Sequence, residues 1–182
     1  MLGHRIGGKR LGIIGMGRIA KAVARRAHHG FGMKILFSDP HPPPPEVTAR
    51  LHAKECTMES LLRDADFVSL HCPGGTETFH LIDVAELKLM QPGAILINSA
   101  RGDVVNNDAL ISALRNGEIA AAGLDVFEGE PQINDGFLDL ENVVLLPHLG
   151  SATHSTRVAM GKRVLQNLDA YLAGKTPRDK LA

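Results

Sequence analysis

The chain has 182 residues, 44% of them hydrophobic and 22% charged, which suits one globular domain with a proper core and argues against a disordered or fibrous chain. Twenty basic side chains offset twenty acidic ones, but residues 1–50 hold nine basic and two acidic, so a +7 start faces a −7 remainder. Such a start fits a nucleic-acid arm, a targeting peptide or a segment that handles phosphate, and charge alone does not choose among them.

In chain order, Leu11–Ile14 is the first expected strand, followed by a helix over Lys21–Ala27. A strand over Lys34–Ser38 then meets Pro40-His41-Pro42-Pro43-Pro44-Pro45, expected as an extended surface loop because proline lacks the amide that helix and ladder need. Further strands are expected near Lys54–Cys56 and over Phe67–His71, Ala94–Asn98, Ala120–Val126 and Val143–Leu146. Most are apolar throughout, as strands covered on both faces are. Asp83-x-x-Glu86 opens a helix over Val84–Met90 as a capping box. Asn106 or Asn107 caps Asp108–Asn116, which Gly117 ends, and Ser151 starts a last helix with Val158, Leu165, Leu168 and Leu172 on one stripe. Strand and helix in regular alternation predict a parallel sheet with helices on both faces, whose ligands bind beyond the carboxyl ends of the strands. The fold class expected is therefore α/β, a doubly wound parallel sheet, with 151–173 as a C-terminal helix.

The first strand runs into Gly12-Ile13-Ile14-Gly15-Met16-Gly17-Arg18-Ile19-Ala20. Gly15 permits a tight turn, Gly17 lets a pyrophosphate approach the backbone, and Ala20 allows close helix–strand packing. The amides of Arg18 and Ile19 then face the phosphates at the positive end of a helix. Asp39 ends the second strand, where its carboxylate can accept from both ribose hydroxyls of an adenosine and repel a 2′-phosphate. No arginine follows it in the proline loop, so NAD is favoured over NADP. The sheet is thus expected to be Rossmann-type, with residues 1–182 as a single dinucleotide-binding domain.

Other classes find less support. Cys56 and Cys72 have no CxxC spacing, so neither a disulfide framework nor a zinc site is indicated, and no metal is expected. His28, His29, His41, His52, His80 and His154 lack the spacing of a ligand set. Cys72, followed by Pro73 and without an assigned base, makes a poor nucleophile. Apolar runs are too short for a bilayer and Met1–Gly12 has no signal-peptide core, so a cytoplasmic protein without a membrane partner is expected. Lys21, Arg25 and Arg26 alternate with small apolar residues as a solvated helix face; with 4% aromatics and no Trp, a nucleic-acid partner is not expected.

Five later segments carry a resemblance. Phe67–Pro73 with Thr76-Glu77-Thr78, Gly93–Gly102, Gly123–Pro131 and Pro147–Thr153 are similar, in order and spacing, to the D-isomer-specific 2-hydroxyacid dehydrogenases. The likeness runs from Leu11 to Leu172 and is greatest to the glyoxylate and hydroxypyruvate reductase branch, while Asp39-Pro40 also resembles phosphoglycerate dehydrogenases. It implies hydride transfer between NAD(H) and a small 2-oxo or 2-hydroxy acid, with Arg101 binding substrate, His148 transferring the proton and Glu130 as the histidine's acid partner. The chemistry suits these residue types: a guanidinium fork grips a carboxylate in two parallel hydrogen bonds, and an imidazole exchanges protons near neutrality. Formate dehydrogenases of the same family resemble the pattern with glutamine in place of Glu130, so the glutamate points to a hydroxyacid. The resemblance also implies that Asp125 holds the nicotinamide carboxamide, that Cys72, Thr78, Ser99 and Ala100 line the cofactor together with Arg101, His148 and Gly150, and that the protein is a homodimer. In this family a substrate domain precedes the cofactor domain. Met1-Leu2-Gly3-His4-Arg5 resembles the crossover between them, so the substrate domain is expected to be absent and Arg101 and Glu130 to face solvent. Alternatives remain a catalytically weak NAD-binding module and a unit that mainly assembles.

Overall fold

The computed structural model describes residues 5–180, so the crossover assigned to Met1–Arg5 lies almost wholly outside the described residues. The chain divides into two compact units, Met1–Pro147 and His148–Ala182.

The first unit is a seven-stranded parallel sheet, β1 (Arg10–Ile14), β2 (Lys34–Ser38), β3 (Ala53–Glu55), β4 (Phe67–Leu70), β5 (Ile95–Asn98), β6 (Ala121–Leu124) and β7 (Val143–Leu145). Their order is β3-β2-β1-β4-β5-β6-β7, so the direction of winding reverses between β1 and β4. Every pairing is parallel, with Ile14 opposite both Ser38 and Leu70, so all the strands' carboxyl ends meet at one edge.

Two cores cover the two faces. On one, Leu11, Ile13, Ile35 and Phe37 pack with Ala20, Ala24 and Ala27 of α1 (Arg18–Phe31). The alanines fall three and four residues apart, a narrow stripe of small side chains that lets the helix lie close to β1. On the other face Val68, Leu70 and Leu96 pack with Leu61 and Leu62 of α3 (Met58–Asp64), Leu87 of α4 (Val84–Leu89) and Leu110 and Leu114 of α5 (Asn107–Arg115). Burying a leucine in such a layer stabilises by about 1.5–3 kcal/mol.

Most strands lie within a residue or two of expectation, and several helices differ. Helix α1 is twice the expected length, starting directly at Gly17 and running to Gly32, whose φ of 64° closes it. The proline run is extended only as far as Pro44; Pro45 is the first residue of α2 (Pro45–Arg50), where a missing amide costs nothing. Helix α3, capped by Thr57 Oγ1 accepting from the Ser60 amide at 3.2 Å, is short enough that no apolar period reveals it. The capping box of Asp83 and Glu86 forms as expected, and of the two candidate caps it is Asn106 that accepts from Asp108 and Ala109.

In the second unit α6 (His154–Leu172) begins three residues later than expected, because Thr153, not Ser151, caps it by accepting from the Thr156 amide. The stripe of Val158, Leu165, Leu168 and Leu172 is exposed rather than part of a core. A unit built on a single long helix has no second element of its own to cover that stripe.

Candidate functional site

The carboxyl edge is organised around three crossings of backbone. At the first, Gly15 turns at φ 87°, and a Cβ there would lie 2.8 Å from the Cys72 nitrogen and the His71 carbonyl carbon. Only glycine fits this conformation and this contact. The turn is tied by the Gly15 amide to the Ser38 carbonyl (2.9 Å) and by Asp39, whose carboxylate accepts from Met16 N at 2.5 Å and His41 N at 2.7 Å. Asp39 thus touches the glycine turn itself and orients the proline loop beside it.

Gly17 is different. Its φ is an ordinary −72°, and a Cβ there would meet nothing within 4 Å. The chain itself has no need of glycine at this position; the open space above it lies at the N-terminus of a 14-residue helix with no side-chain cap. The first-turn amides of Arg18 and Ile19 border this cradle, an arrangement suited to an anionic pyrophosphate. The residues present therefore fit a dinucleotide.

The second crossing holds the loop that carries Arg101. Asn98, 1% exposed at the end of β5, donates from Nδ2 to the Arg101 carbonyl (2.8 Å) and accepts at Oδ1 from the Ala100 amide (3.1 Å). It clasps the turn through Ser99 and Ala100 and leaves Arg101 exposed, its Nη1 donating to the Ala100 carbonyl at 2.7 Å. The neighbouring loop is braced by Thr78 Oγ1 donating to Pro73 O (2.6 Å) and by Gly75 N donating to Asp103 Oδ2 (3.1 Å). Cys72 lies at its start, where burial pushes the thiol's pKa up and keeps it protonated.

The third crossing joins Arg101's loop to Glu130's. A Cβ on Gly102 would lie 1.9 Å from the Phe127 carbonyl carbon and 2.3 Å from the Glu128 nitrogen. From the same segment Glu130 is exposed, with Oε1 accepting from the Phe127 amide at 2.8 Å, and Glu128 Oε2 meets His80 Nε2 at 3.1 Å. Asp125, 8% exposed just beyond β6, donates its amide to the Asn98 carbonyl at 2.9 Å. The first unit thus brings Gly15, Gly17, Arg18, Ile19, Asp39, Cys72, Thr78, Ser99, Ala100, Arg101, Asp125 and Glu130 to one edge of one sheet.

His148 and Gly150 belong to the second unit. His148 opens it with a φ of 55°, a left-handed conformation uncommon for a residue with a Cβ, and is exposed, as is Gly150. Among the described residues no three His, Cys, Asp or Glu side chains gather as a metal could use them. Residues that sequence reading passed over are Asn98, Gly102 and His71. The first two left a readable signal, a polar residue ending an apolar strand and a glycine beside an arginine.

An open parallel sheet that reverses at β1 and β4, with a glycine turn and a free helix N-terminus at the reversal, is a dinucleotide-binding protein of the Rossmann class. Residues 1–150 match the model of the D-isomer specific 2-hydroxyacid dehydrogenase NAD binding domain, and the chain belongs to that family. It is 51% identical over 176 residues to a glyoxylate reductase of Thermococcus litoralis, covering 97% of this chain and 53% of the relative. A glyoxylate/hydroxypyruvate reductase B of Enterobacter agglomerans is 49% identical over 172 residues, with 94% and 53% covered. Among solved structures, the holo D-mandelate dehydrogenase of Rhodotorula graminis superposes with a TM-score of 0.92 at 38% identity, over 98% of this chain and 53% of that one. The chain spans about half the length of the relatives it matches.

Proposed function

We propose that residues 1–182 act as the cofactor domain of an NAD-dependent dehydrogenase that interconverts a small 2-oxo acid, such as glyoxylate or hydroxypyruvate, and its D-2-hydroxy acid. The observation that carries this reading is the pairing, on one sheet edge, of a glycine cradle that the chain does not itself require with an exposed arginine fixed by a buried clasp. Bound NADH supplies the hydride. Arg101 binds the acid's carboxylate and polarises its carbonyl, and the braced turn fixes the backbone from which the guanidinium reaches out, exchanging its bond to the Ala100 carbonyl for the substrate. His148 donates a proton to the ketone oxygen and takes it back in the reverse direction, and Glu130 is its acid partner as the likeness to the family implies. Asp125 orients the carboxamide; Cys72, Thr78, Ser99, Ala100 and Gly150 line the dinucleotide. Asp39 accepts from the adenosine ribose and disfavours a 2′-phosphate, so NADH is preferred to NADPH.

The second reading, a weak or inactive NAD-binding module that mainly pairs with a second copy in the cytoplasm, is favoured by the exposed stripe on α6. NADH oxidation with glyoxylate and with hydroxypyruvate separates the two. Turnover that falls at least a hundredfold in His148→Ala and Arg101→Ala supports the dehydrogenase; equal residual rates for wild type and His148→Ala refute the catalytic assignment. Calorimetric titration with both dinucleotides tests Asp39, and tighter binding of NADPH would overturn its role.

A further inference from the structure

The end of β4 holds a polar side chain that the reading above leaves unused. His71 follows Leu70 at the reversal point of the sheet; its amide donates to the Ile14 carbonyl (2.8 Å) and its carbonyl carbon packs on the Gly15 turn. Two residues apart on a strand, Ser69 and His71 project to the same face, that of Ile13 and α1, and Ser69 Oγ lies 3.0 Å from His71 Nε2. Ser69 is 5% exposed and this is the one hydrogen bond its hydroxyl makes among the described residues. A buried hydroxyl that accepted from Nε2–H would leave its own proton unmet; by donating to Nε2 it satisfies itself and fixes the ring proton on Nδ1. Nδ1 has no partner among the described residues, and none of their fully enclosed side-chain nitrogens or oxygens lacks one, so Nδ1–H is not sealed inside the protein. Burial of the ring holds its pKa below the usual histidine value, so it stays neutral with one fixed donor.

We propose that His71 is a cofactor-binding residue, its Nδ1–H donating to an oxygen in the pyrophosphate–ribose stretch of the dinucleotide, with Ser69 setting the tautomer. This rests on the dinucleotide reading, since the donor stands beside the glycine cradle at the point where such sheets take their ligands. It accounts for a polar serine buried in an otherwise apolar strand: Ser69 is the group that turns the histidine's proton outward.

Two near-isosteres separate this role from a structural one. In His71→Asn the side-chain amide can occupy the position of Nδ1 but cannot reach Ser69; in His71→Gln it reaches the position of Nε2 and Ser69 but offers nothing at Nδ1. By titration calorimetry with NADH, with thermal unfolding as the check on folding, the Gln variant is expected to lose about tenfold in affinity and the Asn variant less than about threefold. The reverse order, equal losses or no loss in either overturns the proposal. Should the Gln variant fail to fold, the ¹⁵N resonance of Nδ1 in the wild-type chain decides: a shift on adding NADH supports the contact, and none refutes it. A wild-type chain that binds neither NADH nor NADPH removes the dinucleotide reading itself, and this assignment with it.

Discussion

The contact between Gly102 and the Phe127–Glu128 peptide sets how far Arg101 stands from the loop carrying Glu130, and Gly102→Ala tests it. The new Cβ would sit 1.9, 2.1 and 2.3 Å from the carbon, oxygen and nitrogen of that peptide, against 3.4–4 Å for ordinary contact. All three atoms are backbone, so no rotamer relieves the overlap and the two loops must part by about 1.5 Å. Overpacking of this kind costs about 3 kcal/mol, the upper end of the usual range, since Gly102 is buried and flanked by buried Val104 and Val105. For a chain of this size that corresponds to a fall in Tm of about 10 °C. NADH affinity should fall only severalfold, because the glycine cradle lies at the first crossing and only the lining by Ser99 and Ala100 moves, while turnover of a 2-oxo acid should fall about a hundredfold from the displaced arginine. Differential scanning calorimetry and stopped-flow NADH oxidation read the two effects. A Gly102→Ala protein with wild-type Tm and turnover would show that the loops tolerate separation and that this packing does not set the site.

Gly17→Ala should do the opposite: the added Cβ enters open space at an ordinary φ, so Tm without ligand stays the same or rises by a degree or two, while NADH affinity falls at least tenfold by calorimetry. Asn98→Ala removes both hydrogen bonds of the clasp and should cost about 2–3 kcal/mol by urea unfolding, with KM for the 2-oxo acid rising more than Kd for NADH. The depressed pKa of His71 has a pH signature. The unfolded imidazole takes up a proton near pH 6.5 and the folded one only at lower pH, so its contribution is full above 6.5 and is lost as pH falls from there toward the folded value. The slope of unfolding free energy between pH 6.5 and 5 should therefore be shallower in His71→Asn than in wild type, and parallel slopes would refute the assignment.

The sheet was legible in the sequence because strands buried on both faces read as unbroken apolar runs, and the glycine turn because its spacing is dictated by phosphate and backbone. Helix α2 was not, since a proline run reads as extended until its last member supplies N1 of a helix. Helix α3 has seven residues, fewer than two full periods, so its buried pair Leu61 and Leu62 carries no period to detect. The α6 stripe does have the period, but a period reports only that a face is apolar and not that anything covers it. At the site, charged residues announced themselves by type, whereas Asn98 acts through the backbone of its own turn at Ala100 and Arg101, and Gly102 through the Phe127–Glu128 peptide far along the chain. His71 could be named from the sequence as part of a motif, but the direction of its free nitrogen is a property of Ser69 and of the fold.

Because all seven strands run the same way, the turns that lead into them, at Gly32-Met33, His52, Asp66, Gly93 and Gly117–Ala120, gather at the edge away from Gly15, Arg101 and Glu130. That edge is a natural handle: an affinity tag, a fluorophore or a whole inserted domain placed at Asn116-Gly117 would leave the binding edge untouched. The same separation lets mutation explore new substrates at one edge without drawing on turns that secure the fold at the other.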